Sequence, residues 1–303
     1  MSAAEFKRED VSFASGASNC QAWLYVPQVG QGERTPCIIM AHGLGGVRAA
    51  GLEPFAERFA AQGYRVLVFD YRFFGDSGGE PRQLLTVTHQ LADWRAAVAF
   101  ARSLPGVDSK RLALWGTSFS GGHVTTLAAE EQGIAAVIAM NPMMDGLAST
   151  RMYLGYAGLL HLLRLGGSGL VDQLRALIGL SPLLIPVVAR HSEFAALSSA
   201  ESWDGYHAIA APGWRNQMSA RFALTLALYR PVNKAHKIRL PLLVQACMQD
   251  SLVSPAAAER VAERAQHAEL RRYPQMGHFS VYVGQGFDEV VRDQLLFLEK
   301  VFR

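Results

Sequence analysis

An α/β fold is what this sequence predicts: a doubly wound, mostly parallel sheet of about eight strands with an inserted helical cap. Three observations carry that reading. Short apolar runs alternate with longer segments of helical period. The runs are continuously apolar and end in small turn residues, as strands covered on both faces do. The alternation then lapses between Asn141 and about Ile238, a stretch too long to be a structureless loop in a compact protein.

Taken in order, residues 11–13 and 21–26 read as antiparallel edge strands, the second stopped by Pro27. Strands follow at 37–41, 65–69, 111–115, 134–140 and 242–247, and a last one begins at Leu270. Helices are expected at 54–62, 90–103, 119–131, 255–266 and 287–301, and right-handed crossovers through them build the sheet. Residues 1–145 and 238–303 then form the core, and 146–237 form the cap, inserted after the sixth strand and built of several short helices. No internal repeat or low-complexity tract is visible.

Composition narrows the function classes. Half of the 303 residues are hydrophobic and 18% are charged, which supplies a large core and argues against disorder. The net charge of +3 is spread without any run of Lys and Arg, so nucleic acid is not expected as a partner. Cys37 and Cys247 sit inside apolar strand-like runs, and with Cys20 they make an odd number, which fits a reduced compartment. The first ten residues carry charges where a secretory signal needs an apolar stretch, so a cytoplasmic location is expected. The most apolar region, 154–188, is broken by His161, Arg164, Asp172 and Arg175 and is too interrupted to span a bilayer. A homodimer is left open.

Residues 111–122 read as an apolar strand, a tight small-residue turn and a helix start, with Gly116 and Ser120 flanking Ser118. That is the context of a nucleophile elbow, where a serine occupies a strained turn and larger neighbours would clash. The plainer reading makes Ser118 a helix N-cap. A serine hydroxyl needs a base to take its proton and a third group to orient that base. Asp250 follows the strand at 242–247, and His278 stands in a loop beside Gly277 after the last strand. Asp145 is the competing acid.

Upstream, the strand through Ala41 runs into His42-Gly43-Leu44-Gly45-Gly46, a turn with exposed amides. The amides of Leu44 and Phe119 are the candidate donors to a tetrahedral oxyanion. Arg48 stands where a dinucleotide fingerprint needs its third glycine, and neither a phosphate loop nor metal-ligand spacing is present, so no cofactor and no metal are expected.

These pieces, with Asp70-Tyr71-Arg72 followed by Gly75-Asp76-Ser77-Gly78 and with Gly277-His278-Phe279, resemble the α/β-hydrolase superfamily over most of the chain outside the insertion. The resemblance implies a triad of Ser118, Asp250 and His278, a two-amide oxyanion hole and a cap. It departs from the pattern at Ser120 and at Phe73-Phe74. A serine nucleophile is unlike the dehalogenases and epoxide hydrolases of that superfamily, and points to acyl chemistry. The expected activity is therefore a carboxylesterase-like serine hydrolase cleaving an ester or related acyl bond of a neutral or lipophilic small molecule. A thioesterase, a serine peptidase, an acyltransferase and a non-catalytic binding protein are the alternatives. Leucines 159, 160, 162, 163, 183 and 184, with Tyr153, Tyr156, Trp203, Tyr206 and Trp214, suggest an apolar substrate pocket in the cap. The alternative is that they pack the cap's own core.

Overall fold

A computed structural model describes residues 5–28 and 33–303 of the chain. Met1–Ala4, where the N-terminal reading begins, lie outside the described residues. Ten strands appear in chain order: β1 (Phe6–Ser15), β2 (Ser18–Pro27), β3 (Thr35–Ala41), β4 (Arg65–Phe69), β5 (Val107–Thr117), β6 (Ala136–Met140), the two-residue β7 (Leu184–Ile185) and β8 (Met218–Ser219), β9 (Leu242–Cys247) and β10 (Ala268–Tyr273). The main sheet has eight of them in the order β1-β2-β4-β3-β5-β6-β9-β10. β1 pairs with β2, and β2 with β4, antiparallel. Every pairing from β4 onward is parallel.

Parallel strands need cover on both faces, and the sequence supplies it residue by residue. Every residue of β3, β6 and β9 is buried. Ile39, Leu67 and Leu114 point to one core with Trp94, Val124 and Val261, which come from α2 (Val87–Ser103), α3 (Phe119–Glu130) and α7 (Pro255–Arg264). Their chain neighbours Ile38, Met40, Val66 and Trp115 point to the other core, with Phe55 and Phe59 of α1 (Glu53–Ala60) and Val290 and Phe297 of α8 (Gly284–Phe302). The period of two along each strand thus builds two hydrophobic layers. All parallel strands end at the same edge, and the loops that follow them meet there.

The insertion between β6 and β9 extends one expectation. Its short helices are preceded by a long one the sequence reading did not place, α4 (Gly146–Leu177), 32 residues that bend once, at Gly158, whose φ is 82°. The glycines that suggest breaks are tolerated elsewhere because Leu, Ala, Gln and Arg around them are strong helix formers. The short ones follow: α5 (Ser202–Ile209), α6 (Ala223–Leu226) and two 3-10 turns, Ala220–Phe222 and Pro231–Lys237. β7 and β8 pair antiparallel, and at two residues each they are too short to leave a pattern in the sequence.

One buried carboxylate ties this segment together. Asp172 of α4 is fully buried and accepts hydrogen bonds from the Leu183 amide (2.7 Å), the Arg221 amide (2.8 Å) and the Arg221 guanidinium (2.8 and 2.9 Å). Burial opposes its charge, yet the Arg221 and Leu183 bonds prevail and hold the carboxyl below the usual carboxylate range. Asp172→Ala leaves Arg221 unpaired in a mostly buried place, and stability should fall by about 3 kcal/mol. Denaturant unfolding of wild type and variant measures that difference.

Candidate active site

Ser118 sits between β5 and α3 with φ 53° and ψ −118°, a conformation that costs an L-residue roughly 1–3 kcal/mol. Its surroundings enforce it. The Ser118 amide donates to the Met140 carbonyl (2.9 Å), and the Ser118 carbonyl accepts from the Met143 amide (2.8 Å). A Cβ on Gly116 would run into the Ser120 carbonyl, and one on Gly121 would stand 2.6 Å from Pro142 Cβ. The glycine requirement thus falls on residues 116 and 121. Ser120 is admitted because its hydroxyl turns the other way, to the buried Tyr71 hydroxyl 2.9 Å off. Although Ser118 holds the N-cap position of α3, its side chain makes no capping bond.

Its Oγ lies 3.1 Å from His278 Nε2, and His278 Nδ1 lies 2.6 Å from Asp250 Oδ2. The other carboxylate oxygen of Asp250 accepts from the amides of Leu252 (2.8 Å) and Val253 (2.9 Å), which fixes its plane. Asp145, the competing acid, is engaged elsewhere: it caps α4 through the Leu147 and Ala148 amides and pairs with Arg230 at 2.9 Å. His278 and Asp250 are both buried. Burial works against the imidazolium, but the charge and hydrogen bond of Asp250, with the charge of Glu201 behind them, outweigh it. His278 therefore titrates above the ordinary histidine value.

Leu44 stands in the turn beside this serine. A Cβ on Gly43 would be 3.0 Å from Ser118 Cβ, so a larger residue there would press on the serine and push the turn away. The buried His42 donates from Nδ1 to the Gly43 carbonyl (3.0 Å), and burial lowers its pKa to about 4, keeping the ring neutral. Phe119 opens α3, so its amide belongs to the unpaired first turn of that helix. Two insertion side chains hold the turn from above. The Tyr206 hydroxyl donates to the Leu44 carbonyl (3.0 Å), Trp214 Nε1 donates to the Gly45 carbonyl (2.8 Å), and the two rings stack 4.5 Å apart.

A cavity of about 30 Å³ remains at Ser118, lined by Gly43, Leu44, Leu197, Tyr206, Ile209 and Phe279 among others. Of the five aromatic residues expected to bind substrate, Tyr206 lines it and the other four do not. Trp214 faces the far side of the turn, in a separate pocket of about 240 Å³. Tyr153 is buried with its hydroxyl on the Ala195 carbonyl (2.9 Å) and Tyr156 packs against it, while Trp203 stacks with His207 and Arg190. Leu159, Leu160 and Leu163 point to the outside and are well exposed.

Glu201, at the start of α5, escaped the sequence reading. Its Oε2 accepts from the His278 amide (2.8 Å), and its Oε1 accepts from the amide (3.0 Å) and hydroxyl of Ser251. One carboxylate from the insertion thus binds the loops that carry both His278 and Asp250. Gly277 is needed for that contact, since its Cβ would stand 2.6 Å from Glu201 Oε2. The residue lies 77 positions before His278, so no local spacing marks it.

An eight-stranded, mostly parallel sheet carrying a serine on a strained turn at its carboxyl edge, with the acid and histidine on later loops, is the architecture of the α/β-hydrolases. Within that class the chain belongs to the serine aminopeptidase S33 family, whose model matches residues 32–281. The quorum-quenching protein AidA of Acinetobacter baumannii is 42% identical over 294 residues, 96% of this chain and 94% of that protein. The polyketide transferase af380 of Aspergillus fumigatus is 25% identical over 315 residues, 97% and 98% of the two lengths. The crystal structure of the α/β hydrolase GrgF from Penicillium sp. superposes with a TM-score of 0.77 at 23% identity, covering 97% of this chain and 99% of that one, a likeness of fold. Among the described residues no helix is long and apolar enough to cross a membrane, and no cluster of His, Cys, Asp and Glu is arranged to hold a metal.

Glu201→Gln removes a negative charge that favours the imidazolium. The titration midpoint of His278, followed by the NMR shifts of its ring protons, should lie above the ordinary histidine value in the native protein and move down in the variant. An unmoved midpoint would leave Glu201 a packing role alone.

Proposed function

We propose that this chain is a serine hydrolase that cleaves a carboxylic ester or closely related acyl bond of a neutral, largely apolar small molecule through an acyl-enzyme. The observation that carries the reading is the unbroken path from Ser118 Oγ to His278 Nε2 (3.1 Å) and from His278 Nδ1 to Asp250 (2.6 Å). In this reading His278 takes the hydroxyl proton as Oγ attacks the carbonyl, and Asp250 stabilises the imidazolium that forms. The amides of Leu44 and Phe119 receive the oxyanion. Collapse expels the alcohol, to which His278 returns the proton, and water then releases the acid by the same route.

The walls around Ser118 support a neutral acyl portion. None of the cavity-lining side chains is a carboxylate, whereas recognition of the free amine of a peptide calls for one, so an aminopeptidase specificity is the weaker reading despite the family's description. We assign residues 146–237 the part of a cap: Leu197, Tyr206 and Ile209 roof the site, and about 30 Å³ holds little more than a water, so substrate entry requires the roof to shift. Acyl transfer to an acceptor alcohol is the second reading, favoured by the full-length match to a polyketide transferase.

A fluorophosphonate probe should label Ser118 in the native protein and leave Ser118→Ala unlabelled. The variant should lose turnover of p-nitrophenyl esters by at least about 1,000-fold while remaining folded by circular dichroism. Undiminished turnover in the variant, or no labelling in the native protein, would overturn the reading, and products formed with added alcohols distinguish transfer from hydrolysis. The rate should fall as pH drops, with the acid limb above the ordinary histidine value because the folded site favours the imidazolium, the form that cannot accept a proton.

A further inference from the structure

The outward face of α4 beyond its bend is apolar and, among the described residues, largely uncovered. Leu165, Gly169 and Asp172 turn inward and are buried. On the opposite side Leu160, Leu163, Leu170, Leu174 and Leu177 are between 58% and 77% exposed. With Gly167 they recur at alternating steps of three and four, the spacing by which one helix presents a continuous seam to another. A solvated helix has no reason to keep that register.

We propose that this seam is the contact between two copies of the chain, their α4 helices packed antiparallel across a two-fold axis. The pattern is self-complementary in that direction. An axis between residues 168 and 169 sets Leu160 against Leu177 of the second copy, Leu163 against Leu174 and Gly167 against Leu170. A Cβ on Gly167 would meet nothing within 4 Å in the single chain, so there is room above it for the facing Leu170. The antiparallel arrangement also separates like charges: Arg164 comes opposite Gln173, whereas a parallel arrangement would oppose Arg164 to itself and Arg175 to itself. Both guanidiniums are folded back on their own chain, Arg164 over the Phe194 ring at 4.1 Å and Arg175 Nε on the Ser181 carbonyl at 2.8 Å. The one acid of this stretch, Asp172, is buried against Arg221.

The area is sufficient. The exposed aliphatic side chains of α4 beyond its bend present on the order of 800 Å² of apolar surface, matching the roughly 800 Å² per partner that a stable interface buries. Because α4 belongs to the segment that roofs Ser118, the pair would hold two roofs back to back.

Sedimentation equilibrium at micromolar concentration should give the mass of two chains, and Leu170→Arg should raise the dissociation constant by roughly 100-fold or more with an unchanged circular dichroism spectrum. Leu163→Cys and Leu174→Cys proteins should form a disulfide with each other when mixed and oxidised, with little self-cross-linking of either alone; the three native cysteines are buried. A single-chain mass throughout that range overturns the proposal, as does a dimer that survives Leu170→Arg. Self-cross-linking of Leu163→Cys without the mixed product rejects the antiparallel pairing. A single-chain protein that co-sediments with phosphatidylglycerol vesicles would assign the face to a lipid surface instead.

Discussion

Everything at the carboxyl edge of the sheet depends on the backbone of one residue. Ser118 is bent to φ 53° by being tied at its amide to the end of β6 and at its carbonyl to the start of the insertion. The neighbouring chain must come close enough for those bonds to form, and a side chain on Gly116 or Gly121 would run into the Ser120 carbonyl or Pro142. The strain is small beside the packing that imposes it, and its product is a hydroxyl lifted clear of the helix it precedes and turned to an imidazole.

The loop after β4 gives the elbow a rigid floor, with a separate task for each of three consecutive residues. Asp70 takes the guanidinium and the amide of the buried Arg48, both at 2.6 Å. Tyr71 bonds Ser120 and accepts from Trp94 Nε1 at 2.8 Å. Arg72 pairs with the fully buried Asp93 at 2.7 Å and reaches back to Ser15. These are buried charges with matched partners: burial still pushes the Asp70 carboxyl up to about 6 against the pull of Arg48, so losing either partner would leave an uncompensated buried charge. Glu201 extends the same economy to the other side, where it adds to the bonds that already join the histidine and acid loops, His278 to Asp250 and the Gln249 amide to the Met276 carbonyl.

Much of this arrangement could be read from residue order. Continuous apolar runs mark parallel strands because both faces are covered, and the small residues after each run mark where the chain leaves the sheet. Ser118, Asp250 and His278 stood out because each follows a strand, and their separation in sequence closes in space through the parallel topology. What stayed hidden depends on the direction in which a side chain points. Leu163 and Leu165 are alike in composition, yet one faces solvent and the other the core, and only the phase of α4 against its neighbours decides. Trp214 looked like a pocket wall and serves as a hydrogen-bond donor to the Gly45 carbonyl. Glu201 had no periodicity to betray it, since its partners lie 50 and 77 residues away.

The paired rings of Tyr206 and Trp214 carry a kinetic implication. They are bonded to the carbonyls of Leu44 and Gly45, in the turn whose Gly43 packs against Ser118, so in the function proposed above lifting the segment that holds them would also loosen that turn. Under the proposed roles of cap and oxyanion hole, admission and readiness would be opposed states of one element: an open mouth would coincide with a slackened anion cradle, and a cradle in tension with a shut mouth. Such a coupling would discourage idle attack by solvent, because the proposed chemistry would be assembled only once something had filled the space and the lintel had come down.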